Sequence, residues 1–175
     1  MDKAALAETQ GPLKQQYRDD PGSAVVVLKA DGDLSGSGIA CRVSTAQAMV
    51  EAGLHPATGG TGELLCSGDM LLEALVACSG VTLRAVSTSM GVEIRGGTIH
   101  AEGDLDFRGT LGVAKDAPVG FKDIRLSFDL DTDADDETLA TLHKLTERYC
   151  VVYQTLVSSP QVSLNLGKQG ATAQA

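Results

Sequence analysis

The chain has 175 residues, enough for one sizeable hydrophobic core and too few for two. At 43% hydrophobic and 21% charged it reads as a soluble globular domain, not a disordered segment. A net charge of −9 without any basic cluster argues against a nucleic-acid binder, which must neutralise phosphates with Lys and Arg.

No stretch is apolar without interruption over the length of a bilayer, since even residues 69–90 carry Asp69, Glu73 and Arg84; no membrane partner is expected. The opening MDKAALAETQGPLK has no apolar signal core, which makes the cytoplasm the expected location. In a reducing compartment Cys41, Cys66, Cys78 and Cys150 are expected as thiols, catalytic pairs or core residues, not structural disulfides. No CxxC spacing occurs and no His lies near them in sequence, so neither metal nor cofactor is expected.

In chain order, residues 1–22 read as an N-terminal arm. Gly11-Pro12 is expected to break it, leaving a short helix around Leu13–Arg18, and Asp19-Asp20-Pro21-Gly22 closes it with a turn. The β-branched run Ser23–Ala30 predicts a strand turned by Asp31-Gly32-Asp33, and the alternation of Gly38–Ala46 predicts its hairpin partner, with Cys41 packed in the core. Arg18 and Arg42 flank this hairpin and read either as surface charges or as anion-facing groups. Met49–Ser67, with His55-Pro56 and Gly59-Gly60, is a long irregular loop feeding the next element; Cys66 reads as a half-buried bystander beside that element's start.

Asp69–Met90 is the central feature, a helix of about six turns. Leu71, Leu75, Cys78, Thr82 and Ala85 share one face, while Leu72, Val76, Leu83, Val86 and Met90 form a second apolar stripe beside it. A helix apolar over most of its circumference belongs inside a domain. Cys78 lies on the apolar side, roughly 140° from Glu73. Its small neighbours Ala74, Thr82 and Ala85 let another helix or another chain approach. Ser67 or Asp69 is the expected cap, Asp69 being also favoured by the helix dipole; a role for Asp69 in a site stands beside that reading. Cys78 itself reads either as a packed small hydrophobe or as a nucleophile.

Met90-Gly91 closes the helix. Strands are predicted at Val92–Ile99 and Ile99–Arg108 about Gly96-Gly97, then a loop, then a strand over Gly120–Asp131 with Ile124, Leu126, Phe128 and Leu130 on one face. A helix over Asp135–Tyr149 follows, then a break at Cys150 and a short helical turn. A last strand is predicted over Gln161–Leu166, and residues 168–175 read as a flexible tail. His55, His100 and His143 read as loop, strand-surface and exposed-helix residues.

Strands, a buried helix containing LLEALVAC (71–78) behind a Gly-Gly loop, further strands, then a helix running into Arg148-Tyr149-Cys150 make an ordered pattern. It resembles the OsmC/Ohr superfamily of osmotically inducible and organic-hydroperoxide-resistance proteins over about residues 23–167. The resemblance implies an α+β, OsmC-like fold: a curved antiparallel sheet around two central helices, in an intertwined homodimer with active sites at its interface. It implies that Cys78 is the nucleophile attacking an organic hydroperoxide or other small apolar substrate. Cys150 would resolve the sulfenic acid as a disulfide, and a dithiol reductant would reopen it. Asp69 stands where such proteins carry a Glu. Their Arg after the first strand is missing from Asp31-Gly32-Asp33-Leu34-Ser35, making Arg42 the nearest substitute and Arg18 the next. The Pro usual before the helix-entry acid is absent from Ser67-Gly68, and the Pro usual after the second cysteine is Val151. The alternative is a non-catalytic dimer of the same fold that binds a small molecule or senses redox state.

Overall fold

Asp20 starts the first tertiary turn: its carboxylate accepts from the Gly22 N–H at 3.2 Å and caps a 3-10 turn over Pro21–Ala24. The computed structural model describes residues 3–33, 42–43 and 52–165. The core packing expected of Cys41, most of the Gly38–Ala46 strand and the tail at 168–175 lie outside those residues. The β-branched run forms β1, Val25–Asp33, which continues through Asp31-Gly32-Asp33 instead of turning there. Those three residues pair with His100, Ile99 and Thr98, and this ladder overrides their local turn preference. The hairpin partner is β2, Arg42–Val43, antiparallel to β1 with Asp33 opposite Arg42.

One strand, β5 (Gly96–Asp106), replaces the two predicted about Gly96-Gly97. The residues before it form no ladder, although the Arg95 N–H reaches the Asp131 carbonyl at 2.9 Å. Gly97 has φ +144° and lies against the Asp129 carbonyl, where a side chain would collide with backbone. At its far end β5 stops at Asp106, whose carboxylate accepts from the Arg108 N–H and opens α3, Phe107–Thr110. Antiparallel to β5 runs β6, Phe121–Asp131, and the sheet order is β2-β1-β5-β6.

The two sheet faces separate by chemistry. Ile99, Ala101 and Leu105 of β5 are buried, and opposite them Phe128, Leu126 and Phe121 of β6 are half-buried on the same face. The outer face carries Arg125, which binds Asp104 at 2.9 Å and Asp123 at 2.8 Å.

The predicted central helix is α2, Ser67–Met90, lying on β1 and β5. By length and composition alone α2 would suffice to cross a membrane, despite Asp69, Glu73 and Arg84, a test that a buried core helix also passes. Here it is the core helix of an α+β fold, with Leu72, Leu75, Val76 and Leu83 buried. Each such burial contributes about 1.5–3 kcal/mol. The buried stripe continues through Ser79, Gly80 and Ser87, while Leu71, Ala74, Val81 and Ala85 stay exposed. Gly91, at φ +69°, closes the helix with its N–H on the Ser87 and Thr88 carbonyls.

Flanking α2 are α4 (Asp136–Tyr149), capped by Asp135, and α5 (Val151–Val157). The N-terminal arm is one helix, α1 (Lys3–Asp19), which runs through Pro12 without breaking. Tertiary hydrogen bonds hold it on both sides of that residue, from Gln10 Nε2 to the Thr58 carbonyl at 3.2 Å and from Tyr17 Oη to the Ala57 carbonyl at 2.5 Å. The loop before α2 contains two short strands, β3 (Ala52–Gly53) and β4 (Leu65–Cys66), paired in parallel. The strand predicted over Gln161–Leu166 does not form in its described part. Residues 161–165 pair with no strand, and Val162 and Leu164 are 87% and 85% exposed. Alternation alone cannot make a strand where no described edge lies beside it.

Candidate functional site

Neither predicted cap is the N-cap of α2: that position is Cys66, one residue before Ser67 and three before Asp69, and it makes no side-chain capping bond. Ser67 is therefore the first helical residue, and Asp69 sits third, inside the first turn. There its carboxylate faces His55 rather than capping the helix. Burial raises the Asp69 pKa and His55 partly offsets this; burial lowers the His55 pKa and Asp69 partly offsets that. Glu73, one turn on, is also raised, first by burial and then by Asp69. His55 is fixed by its neighbours: Nδ1 accepts from the Ala57 N–H at 3.0 Å, and its ring stacks on Phe107 at 4.8 Å.

Cys78 lies mid-helix, half-buried. Nine residues separate it from Asp69, which is about 13.5 Å along the axis and half a turn around it. One protomer thus does not bring these two groups together. Arg42 lies in β2 with its backbone opposite Asp33.

What the fold does bring together is Cys78 and Cys150. A single extended residue, Cys150 at φ −73° and ψ 109°, separates α4 from α5 and serves as C-cap of one and N-cap of the other. Its N–H bonds the Thr146 carbonyl at 2.9 Å, and its Sγ accepts from the Tyr153 N–H at 3.5 Å. This junction packs against α2 and brings the Cys150 thiol near enough to Cys78 for the two to interact; both are free. Burial pushes the Cys150 thiol up, the Tyr153 N–H works against that, and the neighbouring Cys78 adds to it.

Beside Cys150 opens a cavity of about 250 Å³ between α2, β6 and the α4–α5 junction. Its walls are mainly apolar, with Leu126 and Phe128 from β6 and Leu156 from α5. The polar lining comes from Ser79, His143, Thr146, Glu147 and Tyr153, and Glu147 accepts from the Tyr153 hydroxyl at 3.0 Å. Among the described residues lining it, none is Lys or Arg. His143 is exposed on α4 as the sequence predicts, and it borders the cavity together with Glu147, which sequence reasoning does not single out. The signal was present in the spacing, because residues 143, 146, 147 and 150 recur at helical intervals on the face that carries Cys150. Among the described residues, no group of three or more His, Cys, Asp or Glu could hold a metal ion.

A family model for OsmC-like protein matches residues 60–165, more than half of the chain, and that span contains α2, both thiols and the cavity. The chain belongs to the OsmC-like family. Among solved structures, the chain is similar to an OsmC-like hydroperoxide resistance protein from a Jannaschia species. The TM-score is 0.60 at 19% identity, over 85% of this chain and 97% of that one. It is also similar to an OsmC-like protein from Mycoplasma pneumoniae, with a TM-score of 0.55 at 14% identity, covering 74% of this chain and 86% of that one. No protein with a curated description matches the sequence. At these identities the structural likeness carries the OsmC-like fold, and the chemistry has to be argued from the thiols.

Proposed function

We propose that the protein is a thiol-dependent peroxidase that reduces organic hydroperoxides through Cys78 and Cys150. The observation that carries this reading is the meeting of two free thiols from distant parts of the chain. In the first step the Cys78 thiolate attacks the distal oxygen of ROOH, the O–O bond breaks, and the alkoxide leaves as ROH after taking a proton. Cys78 is then a sulfenic acid. The Cys150 sulfur attacks it, water leaves, and a disulfide forms that an external dithiol reopens. A nearby second thiol guards against over-oxidation, which suits a resolving cysteine that neighbours the nucleophile. Membership of the family, and the hydroperoxide resistance in the name of the Jannaschia relative, support the same assignment.

The reading includes a homodimer. About two and a half turns of helix separate Asp69 from Cys78 in one protomer, so Asp69 would serve the thiol of a partner copy, and Arg42 would supply the cation that the described cavity lining lacks. That lack of a described cation also favours a second reading, a redox-sensing dimer oxidised once without turnover.

The deciding experiment treats the reduced protein with one equivalent of an organic hydroperoxide and maps its disulfides by non-reducing peptide mass spectrometry. A Cys78–Cys150 link that is lost in Cys78→Ser is expected. Oxidation at Cys66 or Cys41 instead, or none, would overturn the peroxidase. Repeated cycles of peroxide consumption with a dithiol separate enzyme from sensor.

A further inference from the structure

The cavity beside Cys150 opens to one sulfur of the pair. Cys150, 1% exposed, lines it together with the buried Leu75, Ser79 and Thr146, whereas Cys78 is not among its lining residues. Cys78 instead sits on the open side of α2, among the exposed Ala74, Val81 and Ala85. The two thiols are neighbours, yet the cavity is lined by Cys150 and not by Cys78.

We infer that the cavity is the entry for the reducing thiol, which attacks Cys150 of the Cys78–Cys150 disulfide and expels Cys78. This inference rests on the two-cysteine reading above. Thiol–disulfide exchange requires the attacking sulfur to approach one disulfide sulfur roughly in line with the bond, from the side away from the other. An approach through a cavity that Cys150 lines and Cys78 does not meets that condition. The balance is complete: the reductant thiolate forms an S–S bond to Cys150, the Cys150–Cys78 bond breaks, and its electron pair leaves on Cys78 as a thiolate. The second thiol of the reductant then attacks the mixed disulfide, releasing Cys150 as the thiol and the reductant as its own disulfide.

The leaving-group chemistry agrees. Burial holds the Cys150 thiol above its ordinary range, so Cys150 is a poor leaving group and exchange proceeds better by expelling Cys78. The exit of Cys78 also restores the nucleophile for the next peroxide in the form it needs.

The lining selects the reductant class. The walls are mainly apolar, and the charged residue of the described rim is Glu147, beside His143 and Val157. An uncharged thiol with an apolar body fits such an entrance, and an anionic thiol is repelled there.

The test prepares the disulfide with diamide, independently of any peroxide, and attacks it briefly with 2-mercaptoethanol before acid quenching, alkylation and peptide mapping. Mercaptoethanol on Cys150 with Cys78 alkylated is the expected result; mercaptoethanol on Cys78 overturns the inference. At matched thiolate concentration, 2-mercaptoethanol should reduce the disulfide about two- to fivefold faster than mercaptoacetate, the scale of one exposed charge interaction. Glu147→Gln should narrow that gap, and equal rates with both thiols in the unaltered protein would overturn the selectivity. Plugging the mouth by Val157→Trp should slow reduction about tenfold more than it slows oxidation by hydroperoxide, in line with the cost of a displaced reactant. If diamide yields no Cys78–Cys150 disulfide, this inference falls together with the resolving role of Cys150. If diamide yields it and hydroperoxide does not, only the peroxidase reading falls.

Discussion

Position 150 caps a helix and, in the proposed mechanism, forms a redox pair with the same sulfur, and substitution can separate the two demands. The Cys150 Sγ accepts from the Tyr153 N–H at 3.5 Å as the N-cap of α5. Serine is among the better N-cap residues and alanine among the poorer. Cys150→Ser should therefore keep the unfolding midpoint in urea close to that of the unaltered chain while abolishing the disulfide. Cys150→Ala should lower stability by about 1 kcal/mol, because it removes the cap as well. Equal loss from both would show that the sulfur's packing, not its capping, matters at this site. His55 offers a second test. Burial pulls its pKa below the ordinary value, against the partial opposition of Asp69. A depressed histidine contributes stability above its unfolded pKa of about 6.5 and loses it as pH falls through the folded value. The His55 ring protons should titrate below pH 6.5 by NMR, and the urea midpoint of His55→Asn should fall less steeply than that of the unaltered chain as pH drops from about 6.5. Asn keeps an acceptor for the Ala57 N–H, so the difference reports ionisation. Asp69 and Glu73, both raised, act with the opposite sign in acid, their contribution being lost as pH rises through their folded values. A His55 titration at or above pH 6.5 would refute the assignment.

At the scale of elements, α1 shows what local rules miss. Gly11-Pro12 predicts a break, since Pro12 cannot donate to the Glu8 carbonyl. The helix continues because its neighbours are tied to the Ala57–Thr58 segment on either side of that defect. Tyr17 is buried and its hydroxyl bonds the Ala57 carbonyl, so Tyr17→Phe leaves that acceptor short of a partner. The expected cost is about 1 kcal/mol in urea unfolding, with faster proteolysis within α1 than elsewhere. Unaltered proteolysis of α1 would mean that the hydrogen bond does not hold the helix down. The same contrast explains how far α2 and the site were legible. Periodicity located α2 and its two apolar stripes, because a period of 3.6 is a local property. It could not tell which stripe the sheet covers: the residues most deeply covered follow 72, 75, 76, 79 and 83, drawing on both predicted stripes and on a serine. Cys78 and Cys150 are 72 positions apart, so their meeting depends on how the α4–α5 junction docks, and only the family pattern pointed to it. Asp31–Asp33 failed for a related reason, since cross-strand pairing outweighed turn-forming residues.

On the whole-molecule scale, the open face of α2 is the unfinished surface. Leu71, Ala74, Cys78, Val81 and Ala85 are spaced three and four apart, the interval at which two helices pack along a seam. Leu71 is 37% exposed and Val81 41%, on a helix whose other side is fully covered. Ala74 and Ala85 allow close backbone approach, and interaxial distances of about 8–10 Å are ordinary for such contacts. A twofold copy of α2 laid along this seam would place Cys78 at the interface. The proposed dimer should therefore appear in solution at twice 18.1 kDa by light scattering or sedimentation. Val81→Arg puts a charge in the middle of the seam, facing its symmetry mate or the partner's apolar residues, where neither contact compensates its desolvation. That variant should sediment at 18.1 kDa with its helix content retained by circular dichroism, and its reaction with hydroperoxide should slow while diamide still links Cys78 to Cys150. Loss of the peroxide step with the disulfide geometry intact would tie activation of Cys78 to the partner copy. A chain that runs at 18.1 kDa before any substitution would remove the dimer, and with it the proposed roles of Asp69 and of the open face.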